Sequence, residues 1–232
     1  MCGRMVATTS TDDLAELFRA ETFVDPDDQP DWNVAPTVAV RAVTEEASRR
    51  RIRRYRWGLV RRSAPRMGAG PPMINARSET VATKGIFAPL LARRRCIVPA
   101  DGFYEWQRLP GGKKQPFFLH PAQGGVFAFA GLWDVWSGPE GQVVPCLTIL
   151  TTAADPAVAR IHDRMPLILP APNWDAWLAP ELRDVEALFS MIISPATGGI
   201  ALHPVSDAVN SVANNCAALV APVVIAQGAL FG

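Results

Sequence analysis

Hydrophobic and polar residues alternate with period two through the middle of the chain, in short runs broken by Gly and Pro. That is the pattern of strands half-buried in antiparallel sheets. The runs predict strands over 38–43, 52–59, 96–99, 102–107, 116–119, 127–136 and 147–152, with a hairpin signal at Gly111-Gly112-Lys113. Within 102–107 the alternation sets Phe103, Glu105 and Gln107 on one face against Gly102, Tyr104 and Trp106 on the other. Helical patterns are fewer. Ser10 and Asp13 form a capping box ahead of Leu14, Leu17 and Phe18, and further helices are expected over 81–92, 155–161, 173–178 and 184–190. The elements neither repeat nor alternate as βαβ units. The expected fold is therefore α+β, a single domain over 1–232 built on mainly antiparallel β-sheets with flanking helices. The stretch 62–72, rich in Gly, Pro and Ala, is the expected flexible insert.

Composition adds limits. A chain of 232 residues can bury a large core without dividing in two. No apolar window approaches a membrane span, and the polar, acidic stretch after Cys2-Gly3-Arg4 is unlike a signal peptide. Cys2, Cys96, Cys146 and Cys216 stand far apart with no paired spacing, which predicts reduced thiols in a cytoplasmic protein and no metal. Cys96 and Cys146, among Ile97, Val98, Leu147 and Ile149, should pack as small hydrophobes. The net charge of +1 hides segregation: up to Asp31 the acids outnumber the bases eight to two, whereas Arg41 to Arg66 holds ten arginines against Glu45 and Glu46. A run such as Arg49-Arg50-Arg51-Ile52-Arg53-Arg54-Tyr55-Arg56 suits a phosphate backbone, and it equally suits a solvated edge strand kept from pairing with other chains.

The candidate chemistry begins at Cys2. Removal of Met1, favoured by a small second residue, would leave a cysteine with its thiol and a free α-amine side by side. Such a 1,2-aminothiol condenses with an aldehyde to an imine and closes to a thiazolidine. Its thiol can instead attack an acyl carbon with the amine as base. The plain alternative is a frayed terminus with no role. No Walker loop, dinucleotide fingerprint, nucleophile-elbow serine or zinc helix is present. What remains is a scatter of polar residues in apolar or turned surroundings: Asn33, Asn75, Arg77, Ser78, Glu79, Asp101, Glu105, His162, Asp163 and Arg164. Glu105, between Tyr104 and Trp106, should have a raised pKa and exchange protons near neutrality.

Taken in order, Met1-Cys2-Gly3-Arg4, Trp32-Asn33-Val34-Ala35-Pro36-Thr37, Trp57-Gly58-Leu59, Asn75-Ala76-Arg77-Ser78-Glu79-Thr80, Cys96-Ile97-Val98-Pro99-Ala100-Asp101-Gly102-Phe103-Tyr104-Glu105-Trp106, Pro116-Phe117-Phe118, Phe129-Ala130-Gly131-Leu132-Trp133, Ile161-His162-Asp163-Arg164-Met165-Pro166 and His203-Pro204-Val205-Ser206 resemble the SRAP family, the SOS response-associated peptidases, which includes sensors of abasic sites. The resemblance implies covalent capture of the ring-opened sugar aldehyde in single-stranded DNA by Cys2. Under it, Glu105 is the acid/base of ring opening, His162 shuttles protons at the imine stage and Asn75 orients Cys2 or a sugar hydroxyl. Arg77 and Arg164, with Arg4 and Asn33, would hold phosphates. It implies no cofactor, no membrane, and a monomer in the cytoplasm, at the nucleoid when on DNA. One departure stands out. Where the family continues after Leu59 with a Pro-Trp wedge, this chain reads Val60-Arg61-Arg62, with no tryptophan between Trp57 and Trp106; a lost stacking platform is worth roughly 1 to 3 kcal/mol per base. Other readings stay open: a thiol peptidase or autoprotease using Cys2 and Glu105, a glutamine amidotransferase-type hydrolase, or a DNA-binding module indifferent to Cys2.

Overall fold

In the computed structural model of the chain, residues 2–22, 28–185, 187–188, 190 and 199–225 are described. The elements run β1 (Met5–Ala7), α1 (Thr11–Phe18), β2 (Glu21–Thr22), β3 (Asp31–Val34), β4 (Ala39–Glu46), β5 (Arg49–Trp57), β6 (Asn75–Arg77), α2 (Ala88–Arg93), β7 (Arg95–Ala100), β8 (Gly102–Arg108), β9 (Lys114–Pro121), β10 (Phe127–Ser137), β11 (Val143–Ala153), β12 (Arg164–Pro166), α3 (Trp174–Leu178) and β13 (Ile200–Pro204). Five strands form one sheet, in the order β13-β9-β8-β1-β3, and eight form or join the other, along β12-β11-β10-β7-β4-β5-β2 with β6 beside β11. Most pairs are antiparallel, so the α+β expectation holds. A parallel contact between β5 and β11, Arg56 opposite Cys146 and Trp57 opposite Leu147, closes the five strands β11, β10, β7, β4 and β5 into a ring.

Period-two alternation builds two cores. Along β10, Ala128, Ala130 and Leu132 join the core that takes Leu14 and Phe18 of α1, Leu90 and Leu91 of α2, and Trp177 and Leu178 of α3. Phe127 and Phe129 join the other, between the sheets, with Cys2, Met5, Trp57, Phe103, Leu119, Leu147 and Ile149. A smaller cluster, Val6, Tyr104 and Phe118 with Val205, Val209 and Leu219, seats the later part of the chain on the far side of the five-stranded sheet. Gly102 allows the strands there to approach: a Cβ would stand 2.4 Å from the Phe118 ring and 2.5 Å from the Leu119 carbonyl oxygen. Cys96 and Cys146 are fully buried, as small hydrophobes should be.

All seven expected strands form, and α1 begins where the capping box puts it, with Ser10 Oγ accepting from Asp13 N–H at 3.1 Å. The expected helix over 81–92 is instead a series of turns followed by α2, because Pro89 fits only the first turn of a helix and sets its start at Ala88. The segment 155–161 makes isolated helical turns, such as Ala159 N–H to Asp155 C=O at 2.8 Å, without a helix. Residues 185, 187, 188 and 190 are helical, while 186 and 189 lie outside the described residues. The insert 62–72 is irregular yet pinned. Arg62 grips Asp134 through two bonds of 2.9 Å, and the Trp136 indole donates to the Ala64 carbonyl at 3.1 Å.

Candidate active site

Cys2 is not frayed. β1 lies between β3 and β8, with Met5 opposite both Val34 and Phe103, and the pairing extends backward: Tyr104 N–H donates to the Arg4 carbonyl at 3.0 Å. Cys2 is 0% exposed, and its carbonyl accepts from Asn75 Nδ2 at 2.7 Å. Burial pushes its thiol pKa well up, the negative charge of Glu105 adds to this, and the Arg4 N–H opposes it. The thiol is therefore protonated at neutral pH and needs a base before it can attack.

Asn75 is held from both sides of its strand. β6 runs parallel to β11, and the Ile74 carbonyl takes hydrogen bonds from Ile149 N–H and the Trp57 indole, each at 3.0 Å. With Nδ2 given to Cys2, the buried Oδ1 has no hydrogen-bond partner among the described residues. Glu105 lies on β8 at 2% exposure, opposite Phe117. Burial raises its pKa, with the charge of His162 among the influences that work against it. Its burial does not come from its sequence neighbours. Tyr104 and Trp106 turn to the opposite face, donating to the Trp32 carbonyl (2.8 Å) and Asn210 Oδ1 (2.7 Å), while Glu105 shares the Phe103 face with Cys2.

His162 ends the turn before β12, its N–H bonded to the Val158 carbonyl at 3.0 Å. Its Nδ1 receives the Arg164 N–H at 3.0 Å and also lies 2.9 Å from Asp163 Oδ1. One nitrogen cannot accept the first and donate to the second in the same neutral ring. In the neutral ring the Arg164 N–H bond requires the proton on Nε2, while the contact with the exposed Asp163 requires a proton on Nδ1. Cys2, Asn75, Glu105 and His162, drawn from four separate stretches, thus converge: Asn75 is hydrogen-bonded to Cys2, and Glu105 is electrostatically coupled to Cys2 and to His162.

The residues expected to hold phosphates are less alike. The Arg77 side chain is exposed, with no hydrogen bond or ion pair among the described residues, although its charge helps hold Glu79 low, and so it is available to a ligand. Arg164 is engaged: its fork meets Glu79 at 2.5 and 2.9 Å, and Nη2 also donates to the Thr151 carbonyl at 2.7 Å. The Arg164 hydrogen bond, against the effect of burial, holds the Glu79 carboxyl below its usual range. Arg4 donates to Asn33 Oδ1 (2.6 Å) and the Val209 carbonyl (2.7 Å) and lies over the Trp106 ring. Asn33 is 4% exposed and gives its amide to the carbonyls of Ser211 (2.9 Å) and Asn214 (2.7 Å). Its hydrogen bonds go to this chain itself.

The arginine run belongs to β5, and acids answer part of it: Arg49 meets Glu21, Arg50 meets Glu45 and Asp175, and Arg51 lies 4.0 Å from Glu21 and Glu46, while Arg54 and Arg56 donate to the Ala39 and Gly58 carbonyls; on β4, Arg41 meets Asp28. Glu21 and Asp28, from the acidic start of the chain, thus pair with part of the basic stretch, and Arg49, Arg50 and Arg41 are engaged within the chain. Glu79 and Thr151 carry weight that sequence reasoning did not assign. Glu79 sits four residues after Asn75, but its partner is 85 residues away and gave no local signal.

Comparison with known proteins completes the description. The sequence profile of the SOS response associated peptidase (SRAP) family matches residues 1–212. The abasic site processing protein YoqW of Bacillus subtilis is 38% identical over 221 residues, covering 95% of this chain and 99% of that protein. The abasic site processing protein YedK of Escherichia coli is 36% identical over 229 residues, covering 96% and 100%. A crystal structure of a protein from Bacteroides thetaiotaomicron superposes with a TM-score of 0.84 at 21% identity, covering 96% of this chain and all of that one, and shares the fold.

Proposed function

The chain belongs to the SOS response associated peptidase (SRAP) family, and from that premise we propose that it processes abasic sites in DNA by trapping the open-ring aldehyde on Cys2. The observation that carries this reading is the burial of Cys2 with its carbonyl on Asn75 and its thiol under the charge of Glu105. A terminus held in that way is a built reactive group. Among the described residues no helix is long and apolar enough to cross a membrane.

The steps follow from the residues. Once Met1 is removed, the Cys2 amine adds to the aldehyde and the carbinolamine loses water to leave an iminium. Glu105, whose carboxyl burial shifts toward its neutral form, is the proposed proton donor to the departing oxygen. The resulting carboxylate takes the thiol proton as sulfur bonds to the same carbon, and the iminium nitrogen becomes the ring amine. One water is lost in all. His162 relays protons at the imine stage, and Asn75 keeps Cys2 in line. Arg77 is the proposed phosphate contact; Arg164 joins it when it leaves Glu79; Arg4 lines the approach, oriented by Asn33. Single-stranded DNA is the proposed substrate, since base stacking in a duplex resists the approach of the aldehyde to a buried terminus. The protein acts as a monomer in the cytoplasm, needing no cofactor.

The test is incubation with a single-stranded oligonucleotide bearing one abasic site, followed by denaturing electrophoresis and mass spectrometry of the N-terminal peptide. A heat-stable adduct on Cys2, with Met1 absent, is expected. Cys2→Ala should abolish it, and Cys2→Ser should leave only an imine trapped by borohydride. An undiminished stable adduct in Cys2→Ala would sink the assignment.

A further inference from the structure

Gln107 follows Glu105 by two residues on β8 and points to the same face of the sheet. Its Nε2 donates to the Arg160 carbonyl at 3.1 Å, in the turn that leads to His162. That bond fixes the amide, because a half-turn would set two oxygens against each other. The remaining Oε1 is buried and has no hydrogen-bond partner among the described residues. A buried acceptor left without a donor is destabilising, which marks Oε1 as a place where a further donor would be bound.

Resting on the function proposed above, we propose that Gln107 Oε1 recognises the hydroxyl freed when the sugar ring of the abasic site opens. In opening, the bond between the anomeric carbon and the ring oxygen breaks. The anomeric hydroxyl gives up its proton to become the aldehyde oxygen, and the ring oxygen gains one to become a hydroxyl. In the closed sugar that oxygen is an ether, able only to accept; in the open sugar it donates. An acceptor two residues along β8 from Glu105 and on the same face therefore binds the open form in preference to the closed one and raises the share of aldehyde presented to Cys2. Gln107 contributes to selectivity, while Glu105 moves the proton.

The experiment compares two single-stranded oligonucleotides of the same sequence, one with an abasic deoxyribose and one with an unbranched alkyl aldehyde that has no such hydroxyl. Capture rates are measured for the wild type and for Gln107→Met, which keeps the length and loses the acceptor. The variant should capture the abasic site about tenfold more slowly, the size of one lost hydrogen bond, and the alkyl aldehyde within twofold of the wild-type rate. Equal slowing on both would make Gln107 a support for the His162 turn alone, and no slowing on either would make Oε1 irrelevant; each result overturns the inference. If Gln107→Met does not fold, Gln107→Glu decides, since it retains an acceptor: a wild-type preference for the abasic substrate supports recognition, and loss of that preference overturns it. Failure of the wild type to capture either aldehyde would defeat the proposed function itself, a result distinct from all of these.

Discussion

Replacing Glu105 by Gln tests catalysis and stability in one side chain. The carboxyl is 2% exposed and burial raises its pKa, so the folded chain binds this proton more tightly than the unfolded chain does. The ionised form therefore weakens the fold: stability rises as pH falls through the raised value and levels off below the ordinary carboxylate range near 4.5. Each tenfold gain in proton affinity is worth about 1.4 kcal/mol. Gln keeps the shape and carries no charge, so Glu105→Gln should melt above the wild type at pH 8, with the gap closing toward pH 4.5. Capture should move the other way. Losing a general acid/base slows the step about 10²- to 10⁴-fold, or about 3 to 5 kcal/mol. The thiol partly offsets this, because removing the Glu105 charge eases Cys2 ionisation, but a more acidic thiol cannot protonate a leaving oxygen. Quench-flow capture of the abasic oligonucleotide, with and without borohydride, separates imine from stable adduct, and melting across pH 4.5 to 8 gives the stability arm. Wild-type kinetics in the variant would remove Glu105 from the mechanism. A lower melting temperature at pH 8 would mean that the carboxylate anchors the site instead of straining it.

Arg77→Ala should weaken single-stranded DNA binding alike for all sequences and reduce the slope of log affinity against log salt by roughly 0.7; an unchanged slope in a salt titration would take Arg77 off the backbone. Glu79→Gln releases the Arg164 fork and should tighten binding at low salt with a steeper salt dependence, whereas weaker binding would make Glu79 the residue that holds Arg164 in its working position. Asp134→Asn should cost about 1 to 3 kcal/mol of stability in thermal unfolding at neutral pH, a range lowered because Arg62 is 67% exposed. Burial alone would raise the Asp134 pKa, yet hydrogen bonds from Arg62 and Val135 and the charges of Arg94 and Arg62 bring it below 3.8. Its contribution is thus present above that value and lost as pH falls further, and the variant's stability should lack this acid-dependent loss.

Where local pattern decides structure, the sequence was legible. Alternation alone put Glu105 on the Phe103 face of β8, and Ser10 with Asp13 marked the start of α1. The length of α2 was hidden because an apolar run does not reveal that Pro89 can sit only in a first turn. Long-range pairing was hidden altogether: Arg50 meets Asp175 125 positions away, and Asn33 spends its amide on carbonyls 178 and 181 residues downstream. Arg49 and Arg50 look like part of a DNA footprint until their acids are found, and those come into reach only once the sheet has formed. The pairing of Arg164 with Glu79 has the same origin, so the motif identified the residue without revealing its occupied state.

The position of β1 also imposes a schedule. Its neighbour β8 ends at Arg108, so Cys2 cannot be enclosed until at least that much of the chain has been made. At about 5 to 20 residues per second that is a delay of roughly 5 to 20 s. The proposed trimming of Met1 has to precede the enclosure of Cys2, which comes no earlier than this. A slowly processed chain would fold with its amine blocked and remain inert toward aldehydes, however sound its fold, so the active fraction of a preparation would record how translation and trimming were timed against each other.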